Sequence, residues 1–386
     1  MTPSRHFAAA FTLVLASSAC ASSDEGDGHE HEPLTADEVA PVAENYATIV
    51  AASYAETQAS AQDLRDALDD LVATPSEATL AAAREAWLAA REPYGQTEVY
   101  RFYEGPIEEP EGRLNAWPMD EAYVDYVEGM PDAGIINDPA TYPTIDAATI
   151  ASLNEQGGET NIASGYHAIE FLLWGQDLDP AGPGARPHTD YDTSGAGTAA
   201  NQDRRGDYLL AAGDLLLDDL AGVVIAWDPA GSNYRSEFLA AAPDEIVRRI
   251  MLGMGSLSGA ELAGERMSVA LDTQDQEDEH SCFSDNTHRD IVADAIGIQN
   301  VYEGRYGSIE GPGIYDLVAA RDTALADRLR AEIQASVDLA EAIPAPFDRA
   351  IVEHREAVEA TVDALRTQAD TIVEAAALLD IQLAIE

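Results

Sequence analysis

Apolar residues recur at steps of three and four along most of this chain. Between Thr35 and Val72 the positions Val39, Val42, Tyr46, Ile49, Val50, Tyr54, Ala61, Leu64, Leu68 and Leu71 form one stripe, which predicts a single long amphipathic helix. The stretch ATPSEATLAAAREAWLAAREPY restarts the pattern, with Thr74 as the expected N-cap, Pro75 at the first helical position and Glu77 completing a capping box. A second helix should therefore fold back antiparallel on the first. The C-terminal end repeats the design: a helix from about Ile314 to Ala342, a break at IPAPF, and a helix from Phe347 to about Ala384 with Ile351, Val358, Val362, Leu365, Ile372 and Leu379 turned inward.

Between these pairs, DYLLAAGDLLLDDLAGVVIAW, PDEIVRRIMLGMGSLSGAELAGERMSVAL and a segment from about Asp285 to Tyr302 are also helical by pattern. No run alternates β-branched and polar residues, so the expected class is all-α. The stretch from Asp177 to Gly206 is rich in Gly, Pro and Asp and has no period, which marks a boundary or a long crossover. The expected organisation is two helical-bundle halves, residues 34–178 and 207–386, joined by a linker at 179–206. Their similar ends suggest related bundles, without enough residue identity to establish a duplication.

The N-terminus changes the setting. Arg5, His6, the apolar run from Phe7 to Ala16 and small residues after it read as an export signal over residues 1–20, too short to span a bilayer. SSAC, Ser17 to Cys20, resembles a bacterial lipobox with Cys20 as the lipidated residue, although Ser17 stands where an aliphatic residue is commoner. Cleavage after Ala21 is the alternative. Residues 21–33 look like a flexible acidic tether. Its HEHE tract, His29 to Glu32, is at most an accessory metal ligand, because binding would have to order the tether. Only Cys282 then remains in the mature chain, so no intrachain disulfide can form and stability must come from packing.

Charge narrows the partners. Asp and Glu number 71 against 21 basic residues, a net charge of −50, and the chain contains no lysine. Such a balance argues against nucleic acid, which is bound through clustered Lys and Arg, and it attracts cations. Most of these charges are read as a solvated coat suited to a salty medium.

Three clusters carry candidate chemistry. In GYHAIEFLLWG, His167 and Glu170 lie three residues apart, one turn along one helix face, a spacing at which bundles chelate metals. The neighbours are apolar nearly all round, so Glu170 is expected to be buried and to need a cation, a donor network or a metal. Gly165 would let another backbone approach His167. In DTQDQEDEHSCFSDNTHRD, Glu277 and His280 reverse the pair, and Cys282, Asp285 and His288 follow. In AREPYGQTEVYRFYEGPIE, Glu98 is the candidate carboxylate, with Tyr94 and Arg101 beside it; for most charges of this stretch, ion pairing is the plainer reading.

SGYHAIEFLLWGQD resembles the Gly-x-His-x-x-Glu signature of the imelysin family. AREPYGQTEVYRFYEGPIE, LNAWPMDEAYVDY, GERMSVALDTQDQEDEHSCFSDNTH and GIQNVYEGRYG occur in family order, and together they resemble the branch called iron-regulated protein A. The resemblance runs from about Leu34 to the C-terminus. It implies an exported, often lipid-anchored periplasmic or cell-surface protein, held at the outer membrane, with two helical bundles and a role in iron acquisition. The His-x-x-Glu pair would lie between the halves. Carried over, the signature falls on Gly165, His167 and Glu170, with Glu98 from the first half; Glu277, His280 and His288 are further candidate ligands. Iron is the expected metal, free or as a chelate, with zinc or copper as alternatives, and an uptake-system protein is the implied partner. The family also carries a peptidase label. A zinc peptidase of the His-x-x-Glu-His type needs a second histidine at position 171, and the His-Glu-x-x-His type needs a glutamate at 168. Phe171 and Ala168 occupy those positions. A metallopeptidase and a non-enzymatic binder of an organic ligand or chelate remain the alternatives.

Overall fold

The computed structural model describes residues 33–179 and 182–385. The export segment with Cys20 and the tether histidines lie outside the described residues. The all-α expectation holds: the described strands are two-residue pieces, Arg305–Tyr306 and Ile309–Glu310, paired antiparallel. Among the described residues no helix is long and apolar enough to cross a membrane.

The long first helix is Ala36–Ala73, opened by a capping box between Thr35 and Glu38. Its partner is Glu77–Gly95, and here the expected cap is corrected. Thr74 closes the first helix, donating its N–H to Asp70 O at 3.0 Å, so it cannot also open the second. Ser76 does, with Thr79 as its reciprocal partner. The C-terminal pattern hides two breaks. Ile314–Ala319 and Thr323–Ala342 are separate helices because Asp322 caps the second, accepting from the N–H groups of Ala324 and Leu325. Phe347–Glu353 and Arg355–Leu378 are divided at His354, yet Ile351 and Val358 stay buried on either side, so the apolar period runs through the break.

The first helix packs against Glu77–Gly95 and Gln202–Trp227, and Arg355–Leu378 packs against Thr323–Ala342. Glu77–Gly95 also meets Thr287–Glu303, which ties these groups together within one compact unit from Pro33 onward. The contact is close: a Cβ on Gly95 would lie 2.7 Å from Ala293 Cβ. The described part of the Gly- and Pro-rich stretch runs along helix Gly165–Trp174, with Arg186 N–H donating to Trp174 O and the Tyr191 hydroxyl to Leu172 O. Helix Pro243–Ser256 continues into a π-helical segment, Leu257–Ser268. Wide turns of this kind are rare and occur mostly at functional sites. This one carries Glu261 and Arg266.

Candidate functional site

Helix Gly165–Trp174 is buried along its whole length, as its apolar composition requires. The two residues of the pair it carries are joined directly. His167 Nδ1 lies 3.0 Å from Glu170 Oε2, and Glu170 Oε1 accepts from the backbone N–H and hydroxyl of Ser284 at 2.9 and 2.6 Å. Both carboxylate oxygens are therefore engaged, and Glu170 orients the imidazole. The free end of that imidazole, Nε2, is buried and has no hydrogen-bond partner. Burial, helped by His280, lowers the His167 pKa well below its ordinary value, so the ring is neutral.

His280 repeats the arrangement beside it. The two rings meet edge to face with centroids 4.6 Å apart, and Trp117 stands 5.4 Å from His167. His280 Nδ1 lies 3.0 Å from Asp290 Oδ2, while Nε2 faces the Asn115 amide at 3.4 Å. Asp290 is held by Arg91, whose Nε donates to Oδ1 at 3.2 Å and whose Nη1 donates to Asn115 Oδ1 at 2.6 Å. The Arg91 and His280 partners keep the Asp290 carboxyl far below the usual range despite its burial. Burial and the nearby Arg266 lower His280 to about 4. Two imidazoles, each held through Nδ1 by an acidic side chain, thus stand side by side, the outer-sphere arrangement that orients histidine. A cation at His167 Nε2 would require Glu170 to give up its proton so that Nδ1–H donates to the carboxylate.

A cleft of about 370 Å³ leads to His280 and is bordered by Asn115, Trp117, Arg101 and Arg266. Five carboxylates against two arginines line it, which favours a cation. Among the described residues no three His, Cys, Asp or Glu side chains are arranged to hold a metal ion. The residues that could offer nitrogen donors to a cation here are His167 and His280.

The other sequence candidates lie elsewhere. Glu98 is buried, but its carboxylate is taken by Arg101 at 2.8 Å and by Arg266, and these two arginines overcome burial to hold it at about 2. Arg101 also reaches Glu111 and Glu261, so the cluster is an ion-pair network on the cleft wall. Glu277 and His280 do not form a helical chelate: residues 280–285 are turns, and Glu277 is exposed beside Glu121. His288 lies in the first turn of Thr287–Glu303 with Nδ1 3.1 Å from Asp285 O. Asp285, half-buried at φ +59°, faces other carboxylates. Cys282 is buried and its thiol is pushed well up by burial and by Glu170, so it packs as a neutral group. The Tyr94 ring meets that of Tyr166 at a tilt of 50° with centroids 4.8 Å apart, under the Arg91 guanidinium.

Asp290, Arg91, Asn115, Ser284 and Trp117 were not legible as site residues. Asp290 closes the His-rich cluster in sequence and offered a faint signal, whereas Arg91 fell among the charges of its stretch read as ion pairs; it does pair, with Asp290, while its neighbour Glu92 binds Arg289 at 2.7 Å.

Glu170 makes a measurable prediction. Burial lifts its carboxyl from 4.5 to about 8 against the opposing pull of the Ser284 donors. The folded state keeps this proton up to about pH 8, while the unfolded chain releases it near 4.5. Stability linked to Glu170 is therefore complete below the unfolded value and is lost as pH rises through the folded one. Glu170→Gln cannot lose that proton, so from pH 5 to 9 the wild type should fall relative to the variant by on the order of 4 kcal/mol in urea unfolding. A difference independent of pH would refute the assignment.

The fold and the signature helix have counterparts. The family model described as Imelysin matches residues 50–372. Iron-regulated protein A of Synechococcus elongatus is 25% identical over 345 residues, covering 84% of each chain. A crystal structure described as an iron-regulated protein A precursor from Parabacteroides distasonis superposes with a TM-score of 0.71 at 17% identity, over 91% of this chain and 97% of that one. An imelysin-like protein from Psychrobacter arcticus gives 0.67 at 14%, over 91% and 98%. At these identities the two structures speak for the fold alone. The family model spans most of the chain, including the helix that carries His167 and Glu170, and on that ground the protein belongs to the imelysin family.

Proposed function

We propose that this protein binds iron as cargo for uptake, at the paired imidazoles of His167 and His280, with water or an accompanying chelator completing the coordination. The observation that carries the reading is the buried, unpartnered Nε2 of His167, fixed in place by Glu170 and Ser284 next to a second carboxylate-oriented histidine. A buried polar atom without a partner is uncommon and calls for a ligand. The acidic cleft supports a cationic cargo, and the name of the Synechococcus relative supports iron. The proposal extends to export and anchoring through Cys20, which would hold the cleft near a membrane and an uptake partner; the description of the Parabacteroides protein as a precursor supports export.

Calorimetry with ferrous and ferric iron, the latter also as a chelate, tests this. Wild type should show one saturable event, lost in His167→Ala, while Glu170→Gln should weaken it about 10–100-fold, as removal of an orienting partner does elsewhere. Wild-type stoichiometry in a His167→Ala, Glu170→Ala double variant would overturn the proposal. Both Glu170 oxygens are already hydrogen-bonded and its proton is held up to about pH 8, which favours binding over a general-base role in peptide hydrolysis. Metal-dependent cleavage of a peptide panel that vanishes in Glu170→Gln would reverse that preference.

A further inference from the structure

A second group of carboxylates includes Glu279, the residue before His280. Glu279 is 1% exposed, and neither of its oxygens has a hydrogen-bond partner. The Thr287 hydroxyl, a neutral donor, opposes the effect of burial on Glu279 without forming a well-aligned hydrogen bond to it. Asp177, 2% exposed, uses Oδ1 to accept from Asp179 N–H, but its Oδ2 is unpartnered. Asp348, 8% exposed, also leaves Oδ1 unpartnered. These groups share one locality: Asp348, Asp285 and Asp177 are the charges that act on Glu279, and Asp348 and Asp177 act on Asp285. Arg349, the cation that acts on Asp348, is committed to Glu353 at 2.9 Å.

Buried carboxylates are ordinarily paired, and here four oxygens from three separate segments are not. The set is all oxygen, with no imidazole and no thiolate. That chemistry suits a hard cation, and a cluster built from flexible, unevenly spaced side chains suits Ca²⁺ better than Mg²⁺, which demands near-octahedral order. We propose that Asp177, Glu279, Asp285 and Asp348 form a cation site for one Ca²⁺, clamping the 279–286 loop to the end of the His167 helix and to the helix that begins at Phe347. As they stand, no three of these carboxylates close on one point. Binding therefore requires these side chains to lose their protons and draw together around the ion. Because the same loop carries His280 and Ser284, the ion would also steady both histidines, but the proposal does not depend on what they bind.

The test is Ca²⁺ calorimetry and thermal unfolding of the full chain after treatment with chelator. Wild type should show one saturable site above the weak binding expected of so acidic a surface, with a Tm rise of several degrees. Glu279→Gln and Asp177→Asn should each lose the site and the rise, and in chelator each should unfold at a higher temperature than wild type, because a buried carboxyl that can ionise has gone. A control double variant at two exposed positions, Asp63→Asn and Asp70→Asn, should titrate like wild type. Absence of a saturable site in wild type, or a Glu279→Gln titration matching wild type, would overturn the proposal. An equal Tm rise with Mg²⁺ would overturn the assignment to Ca²⁺.

Discussion

Gly165→Ala is expected to destabilise the protein by about 3 kcal/mol or more, although it adds a single methyl group. Gly165 opens the His167 helix at φ +83°, where a side chain is strained whatever the space, and the space is absent. A Cβ would lie 2.5 Å from Leu114 O and 2.6 Å from Arg113 O, both backbone atoms. That backbone cannot retreat easily: Ser164 donates its hydroxyl to Arg113 O, the Arg113 guanidinium pairs with Asp219 at 2.6 Å, and Leu114 is fully buried. The next residue, Asn115, touches both Arg91 and His280. Pushing the two segments apart would therefore separate the histidines as well, and iron binding should fall with stability. Urea unfolding decides the point; a loss below about 1 kcal/mol would show that the close approach is not needed.

Arg91→Ala is expected to cost a further sort of stability, about 3–5 kcal/mol, because it strands a buried charge. Arg91 is 1% exposed, pairs with Asp290, bonds Asn115 and packs over the rings of Trp87, Tyr94 and Tyr166. Without it, Asp290 keeps only neutral donors from Ser281 and Asn286 and the His280 ring. The Arg91 charge lowers the proton affinity of His280, and Asp290 raises it. In the variant the Arg91 influence disappears while burial and Arg266, the larger depressing influences, remain, so the His280 pKa should rise above about 4 without reaching its ordinary value. Asn115 and Asp290 would also lose the guanidinium that holds them against His280, so on the proposed reading metal binding should weaken. NMR titration of the ring reads the shift directly, and Arg91→Lys, which keeps the charge but loses the two-point grip, should fall between. An unmoved His280 pKa in Arg91→Ala would show that the guanidinium does not govern this histidine.

Both variants act through contacts that helical periodicity does not report. The apolar stripes from Val39 to Leu71 and from Ile351 to Leu379 correctly indicated helices, since each must bury one face. They were blind to the break at His354, because Ile351 and Val358 remain in phase across it. The Ser76 cap was misplaced by two residues for a related reason: Thr74 has the right side chain to cap the second helix, but its backbone is spent closing the first. At the site, the burial of His167 and Glu170 followed from their apolar neighbours. The role of Glu170 did not, because orienting an imidazole and ligating a metal call for the same residue at the same spacing.

What the sequence determined by itself was therefore local: helices from a repeated period, a buried polar pair from its surroundings, and the absence of both zinc-peptidase motifs from Phe171 and Ala168. Tertiary structure alone decided which charges meet. Glu98 looked available until Arg266, 168 positions away, took its carboxylate, and Arg91 looked like a neighbour of Glu92 until the fold set it against Asp290, 199 positions on. Ser284, 114 positions from Glu170, completes the first dyad in the same way. Helical period records which face of a segment is dry. It carries no record of which distant segment supplies the donor to a buried carboxyl, and in this protein that choice sets Ser284 on Glu170 and Arg266 on Glu98.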